Sequence, residues 1–357
     1  MIDKEKITLN WIEKVANENR DADKILVEKV IRALLLLEGL VKQKLIFVFK
    51  GGTALMLHLN SAKRLSIDLD IVIPEKPEDL EETLDKVAME QGFLRKEEQK
   101  RTSDTKIDKK HYKFFYTPLH RSSKEEEFVL LDILFEAIQY EKLEEVRIQS
   151  SFVPEKDPPL TVKAPCLEDL TGDKLTAFAP NTSGIPYYKK GDTMGMEIIK
   201  QLYDIGNLAG IVADINIIKS TFKAFARTEL SYRELDNLKD QDVLDDIYQT
   251  ALCIVTRGAD GKGNFEELQQ GIQKISRFVF SERYHLEKAI THASKAAYLA
   301  ILIQKDAEQI EKFTDPLIIK DWVISEPMNP KLNKLKKSNP EAFFFWYKIL
   351  TLLNPGT

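Results

Sequence analysis

The sequence is nearly devoid of cysteine. Cys166 and Cys253 are the only two in 357 residues, too few for a disulfide framework or a thiolate zinc site. Long apolar runs are missing as well. The leucine stretch Leu34–Leu37 stops at Glu38, far short of the ~20 residues that a membrane span requires. The opening Met1-Ile2-Asp3-Lys4-Glu5-Lys6 mixes charges without an apolar core, so no signal peptide is expected and a cytoplasmic protein is. There is no surplus of positive charge. Fifty-two Lys and Arg face fifty-seven Asp and Glu, a net charge of −5, which excludes a general nucleic-acid binder and leaves phosphate contacts to local patches. Arg95–Lys113 and Lys331–Lys337 are the two basic patches, and each reads more simply as a solvated loop or helix face. No internal repeat, low-complexity tract, Walker loop or Ser-His-Asp spacing is present. The five histidines, His58, His111, His120, His285 and His292, show no ligand spacing.

What is present is an ordinary globular composition, 43% hydrophobic and 31% charged, long enough for about two domains at roughly 150 residues each. Disordered and collagen-like chains are thereby excluded. Residues up to about 40 carry helical spacing in Leu26, Val30, Ala33 and Leu37. Leu45–Phe49 and Ser66–Ile73 read as strands, Pro77–Gln91 as a polar-faced helix, and Tyr112–Tyr116 and Glu127–Leu134 as further strands. Val153–Pro159 has linker composition, Leu160–Ala164 suggests one more strand, and from Leu167 the chain reads as helical. Leu286, Ala289, Ile290, Ala293, Ala297 and Ile301 mark an amphipathic helix. Phe343-Phe344-Phe345-Trp346-Tyr347 is expected to close a helical core. The domains expected are 1–165, mixed α and β, and 166–357, a helical bundle.

Three carboxylates stand out. Asp68 and Asp70, two apart on an expected strand, point to one face, where their repulsion is relieved by a divalent cation with a taste for hard oxygen ligands. Asp132 shares a strand face with Phe128, Leu130 and Leu134 and makes sense if that end of the strand opens onto a metal. Upstream, Gly51-Gly52-Thr53 joins a strand to a helix. Glycines admit close approach of a ligand to the backbone, and the helix start offers free N–H groups to a phosphate. A short Asp-x-Asp or a diglycine alone is weak. Three carboxylates on neighbouring strands beside a phosphate-cradling turn are the parts of metal-assisted phosphoryl transfer.

Lys50-Gly51-Gly52-Thr53-Ala54-Leu55 followed by Arg64-Leu65-Ser66-Ile67-Asp68-Leu69-Asp70 resembles the signature of the polymerase-β-like nucleotidyltransferase superfamily, and within it is similar to the AbiEii/AbiGii toxin family, which includes the MenT-type toxins. Leu167–Ala177 resembles that family's lysine-bearing helix, and Lys200-Gln201-Leu202-Tyr203-Asp204-Ile205 its Arg-Asp-x-x-Asp-Leu motif, with Lys200 and Gln201 departing from it. The resemblance covers roughly residues 45–208. It implies an α+β fold, a nucleotidyltransferase domain with a small mixed sheet followed by a helical bundle that contributes Lys174 and Asp204 to the cleft. It implies Mg2+ or Mn2+ on Asp68, Asp70 and Asp132, and catalytic roles for those three together with Lys174 and Asp204. Lys50, Gly51, Gly52, Thr53, Arg64, Ser66, Lys189 and Lys190 would bind the nucleotide, with Tyr187 and Tyr188 as stacking rings. The activity implied is transfer of a nucleoside monophosphate from a triphosphate to an RNA, with tRNA 3′ ends foremost, by a toxin paired with an antitoxin. A metal-dependent nuclease, a glycosyltransferase and a non-catalytic nucleotide-binding module are the alternatives.

Overall fold

The computed structural model describes all residues except 60–62, 100–107, 121–123, 326–328 and 355–357; the Lys100, Arg101 and Lys106 part of the Arg95–Lys113 patch lies outside the described residues. Two compact units emerge, Met1–Cys166 with Arg277–Arg283, and Leu167–Ser276 with Tyr284–Thr357.

In the first unit the expected single helical stretch is two helices. α1 (Leu9–Glu18) starts at Thr8, whose side chain accepts from the Trp11 amide. α2 (Lys24–Lys42) starts at Asp23, which accepts from the amides of Ile25 and Leu26. Between them Arg20 and Asp21 adopt positive φ, which ends the first helix. Next come β1 (Val48–Lys50), α3 (Gly51–His58), β2 (Leu69–Ile73) and α4 (Leu80–Gln91). They are followed by β3 (Arg95–Glu98), β4 (Lys109–Tyr116), β5 (Glu127–Phe135), β6 (Leu143–Arg147) and β7 (Thr161–Pro165). The main sheet runs β1-β2-β5-β4-β3, with β2 and β5 parallel and the other pairs antiparallel. β6 and β7 form a separate antiparallel pair, and residues 153–159 join them inside this unit.

Alternation along β5 gives the sheet two unlike faces. Val129, Leu131 and Ile133 are buried while Phe128, Leu130, Asp132 and Leu134 are half-buried. The buried face packs on α2, which also packs on α4; each such apolar side chain contributes about 1.5–3 kcal/mol on burial. α2 is apolar enough to be core along most of its length, Leu34–Leu37 included. The returning segment Arg277–Arg283 completes the unit. The Leu65 amide donates to the Phe278 carbonyl at 2.7 Å, Arg64 bridges Val279, and Phe280 meets Phe152 edge-on.

The second unit is built of α5 (Leu167–Ala177), a hairpin of β8 (Tyr188–Lys189) and β9 (Asp192–Thr193), α6 (Gly195–Leu208), α7 (Ile215–Tyr232), α8 (Asp240–Val255), α9 (Phe265–Ile275) and α10 (Leu286–Gln304), with a last helix at Pro340–Leu353. α10 packs against α6, α8 and the last helix and is buried almost all round from Ala289 to Ile303. It is a central helix, not the one-faced amphipathic helix expected, because partners cover several sides. Phe343, Phe344, Phe345 and Trp346 are buried, and Trp322 stacks on Tyr347 at 4.4 Å. The fold is thus α+β, with a small mixed sheet and many helices.

Candidate active site

Register, more than sequence proximity, assembles the site. β1 sets Lys50 opposite Asp70. β2 sets Asp70 beside Asp132 of β5. β5 sets Asp132 opposite His111 of β4. In-register partners project to the same side of a sheet, so Lys50, Asp70, Asp132 and His111 form one row across four strands, spaced about 4.8 Å per strand, on the less buried face. Two carboxylates side by side repel; here a lysine flanks one and a histidine the other. The His111 Nδ1 stands 2.7 Å from Asp132 Oδ1. An ionised carboxylate can only accept, so Nδ1–H donates. The Lys50 ammonium also lies 5.8 Å from the Tyr140 ring centre.

The diglycine starts α3 directly, with Lys50 as N-cap and no capping side chain. The free amides of that first turn and the positive helix end suit an anion. Gly51 has φ +80, and a Cβ there would run into the Asp70 carboxylate. A Cβ on Gly52 would lie 2.7 Å from both Arg64 Nη2 and Ser66 Oγ. The two glycines are therefore the places where the second Asp, the Arg and the Ser of the later motif close against the main chain. Arg64 is buried and its Nη1 donates to the Leu65 carbonyl.

One expectation needs correction. Asp68 precedes β2 by one residue, because the strand is Leu69–Ile73 and not Ser66–Ile73. Strand alternation consequently fixes Asp70 but not Asp68. Thr53 is fully buried and its hydroxyl donates to the Asp68 carbonyl at 2.7 Å. Its side chain is a strut that ties α3 to the Asp68 segment. His58, expected to be packed or capped, has its Nε2 2.7 Å from the Pro165 carbonyl, and burial depresses its basicity.

In the second unit the Lys174 ammonium meets the Asp204 carboxylate at 2.6 Å, from α5 to α6, the side chains only 6% and 4% exposed. Lys189 and Lys190 are exposed on the β8–β9 hairpin, whose turn carries positive φ at Lys190 and Gly191. Tyr187 is half-buried with its hydroxyl enclosed, and burial pushes its phenol up to about 12. Tyr188 alone of the two is exposed, its hydroxyl hydrogen-bonded with Glu267 and Asn264.

Among the described residues no three His, Cys, Asp or Glu side chains already form a metal-holding group. The Asp70–Asp132 pair nevertheless fits Mg2+, which usually binds through one or two carboxylates together with substrate phosphates and water. An anion-receptive helix start beside two hard carboxylates can hold a triphosphate and a cation together. His111 escaped sequence reading because its place depends on the long-range pairing of β4 with β5. The one local signal was alternation with Tyr112, which puts the histidine on the opposite sheet face.

The family described as "Nucleotidyl transferase AbiEii toxin, Type IV TA system" matches residues 35–252. Among solved structures the chain is similar to JHP933 from Helicobacter pylori, at 17% identity over 80% of this chain and 94% of that one, TM-score 0.43. It is similar also to a putative nucleotidyltransferase from H. pylori, at 18% identity over 78% and 94%, TM-score 0.41. A third is MenT4, a nucleotidyltransferase toxin from Mycobacterium tuberculosis, at 14% identity over 82% and 89%, TM-score 0.45. No curated protein matches the chain significantly.

Proposed function

The chain belongs to the AbiEii nucleotidyl transferase toxin family, and from that premise we propose that it moves a nucleoside monophosphate from a nucleoside triphosphate to an RNA hydroxyl, foremost at a tRNA 3′ end. The enzyme is a nucleotidyltransferase, and its family is one of type IV toxin–antitoxin systems, so an antitoxin is the expected protein partner. In the reaction an acceptor oxygen bonds to the α-phosphorus, the α–β anhydride bond breaks, and pyrophosphate leaves. The observation that carries the reading is the strand row Lys50–Asp70–Asp132–His111 beside the uncapped start of α3.

In this reading the Gly51 and Gly52 amides hold the terminal phosphates, aided by the helix dipole. Arg64 and Ser66 brace the same turn from behind Gly52. Asp70 and Asp132, with Asp68 as the third candidate, would hold Mg2+ or Mn2+. That cation would neutralise charge on the triphosphate and acidify the acceptor hydroxyl. Lys50 balances the carboxylates. Lys174 is assigned to the triphosphate as a point charge, with Asp204 holding its ammonium in place. Lys189 and Lys190 are assigned to the RNA backbone, for which their exposure is the support. Catalysis then rests on positioning and charge. Modification of tRNA ends would stop translation, which suits a toxin.

The test is incubation of the full chain with each labelled triphosphate, Mg2+ and total RNA. We expect label on RNA with the parent and none with Asp70→Ala, whose circular dichroism and melting stay parental. Full labelling by Asp70→Ala refutes the site. RNA cleavage without added nucleotide replaces transfer by hydrolysis.

A further inference from the structure

We propose that His111 is a positioning residue for Asp132, orienting that carboxylate so that its second oxygen is the one offered to the cation; the inference rests on the nucleotidyltransferase reading of the same site. Three observations carry it. The bond joins Nδ1 of His111 to Oδ1 of Asp132 at 2.7 Å. It is a rung of the sheet, set by the antiparallel register of β4 on β5. The His111 backbone is held on its other side as well, its carbonyl accepting from the Gln99 amide at 2.7 Å. The imidazole therefore stands on a strand paired along both edges, and a group carried on such an element is placed more accurately than one on a loop.

The chemistry follows from the row. An aspartate has two near-equivalent oxygens and a broad torsion at the carboxylate. Fixing Oδ1 with a ring N–H removes that freedom and singles out Oδ2. Asp132 is the partner of Asp70 across the parallel pair, so the orientation of one carboxylate sets how well the two chelate together. Side-chain exposure is 14% for His111 and 33% for Asp132. The imidazole is the more sheltered member, and the carboxylate keeps an open side. Ligating carboxylates commonly carry such a hydrogen-bonded partner, and losing it costs about 10–100-fold in metal affinity or activity. Asn is the informative substitute, since its amide N–H occupies nearly the place of Nδ1–H.

The experiment compares the full-length parent, His111→Ala, His111→Asn and Asp70→Ala. Mn2+ binding to the nucleotide-free protein is followed by loss of the free-ion EPR signal, and Mg2+ activation of labelled transfer is measured alongside. We expect His111→Ala to weaken Mn2+ binding about 10–100-fold and to raise the half-activating Mg2+ concentration in step. At saturating Mg2+ its KM for the triphosphate stays parental, and His111→Asn recovers most of both losses. Parental Mn2+ binding and Mg2+ response in His111→Ala overturn the proposal. So does an Asn variant as defective as Ala, which reports packing instead of a directed hydrogen bond. Asp70→Ala separates the two layers. If it too binds and transfers normally, the active-site reading has failed; if it is silent while His111→Ala is parental, only the role of His111 has.

Discussion

A methyl group at Gly51 tests the link between the diglycine bend and the carboxylate beside it. Gly51 has φ +80 and its missing Cβ points into the Asp70 carboxylate. Gly92, in the same unit, has φ +78 with nothing within 4 Å of its missing Cβ. Gly92→Ala therefore measures backbone strain alone. That strain is about 1–2 kcal/mol, offset by the ~0.4–1 kcal/mol gained from a stiffer unfolded chain. Gly51→Ala carries the same strain plus an overlap, and overpacking costs about 1–3 kcal/mol. The two variants should thus differ by about 1–3 kcal/mol, or at roughly 2–4 °C per kcal/mol for a unit of this size, by several degrees in melting temperature. Function should separate further. A shift of about 1 Å at a reacting centre costs on the order of 100-fold, and Asp70 can escape the methyl only by moving. Calorimetric melts and labelled-RNA transfer assays on both variants decide it. Equal destabilisation, with parental transfer by Gly51→Ala, would refute the claim that Gly51 is glycine for the sake of Asp70.

Lys174→Met takes the ammonium from a buried pair, which costs about 3–5 kcal/mol; adding Asp204→Asn should return part of it, and a single-variant melt within 2 °C of the parent would contradict the pairing. Removing the Thr53 hydroxyl with Thr53→Val leaves the half-buried Asp68 carbonyl without that donor and should cost about 1 kcal/mol in urea titrations, where no change would show the strut to be idle. Glu81 provides a pH signature. Burial works against its charge, but hydrogen bonds from Lys110, Lys96 and Tyr112 prevail and bring it down to about 2. Its folded value lies below its unfolded one, so its contribution is present above about pH 4.5 and is lost as pH falls towards 2. The stability gap between the parent and Glu81→Gln should accordingly close across that window, and a gap independent of pH would disprove the linkage.

Much of the site is local in sequence and was legible for that reason. Gly51, Gly52, Arg64, Ser66 and Asp70 lie within one strand–helix–strand passage, and the motif spacing already brings them near each other. Asp132 was legible through a charge set among apolar neighbours on a strand. What stayed hidden depends on pairing between distant strands. No local pattern says that Asp70 aligns with Asp132 and not with a residue two places along, or that His111 stands on the far side of that pair. β3 and β6 were missed because Arg95–Glu98 and Leu143–Arg147 carry mostly exposed charged side chains, so they lack the apolar alternation that marks a half-buried strand. Asp68 falls just outside the strand expected to carry it, because a short motif does not record strand length.

Because Arg277–Arg283 is stitched onto the Arg64–Leu65 stretch while its flanks belong elsewhere, the N-terminal half is not separable by a cut. A fragment ending at Cys166 would forfeit the returning segment that bridges Arg64 and accepts from the Leu65 amide. Expression of that half by itself should leave the Arg64–Leu65 stretch frayed, and mapping or inhibitor screening calls for the whole polypeptide.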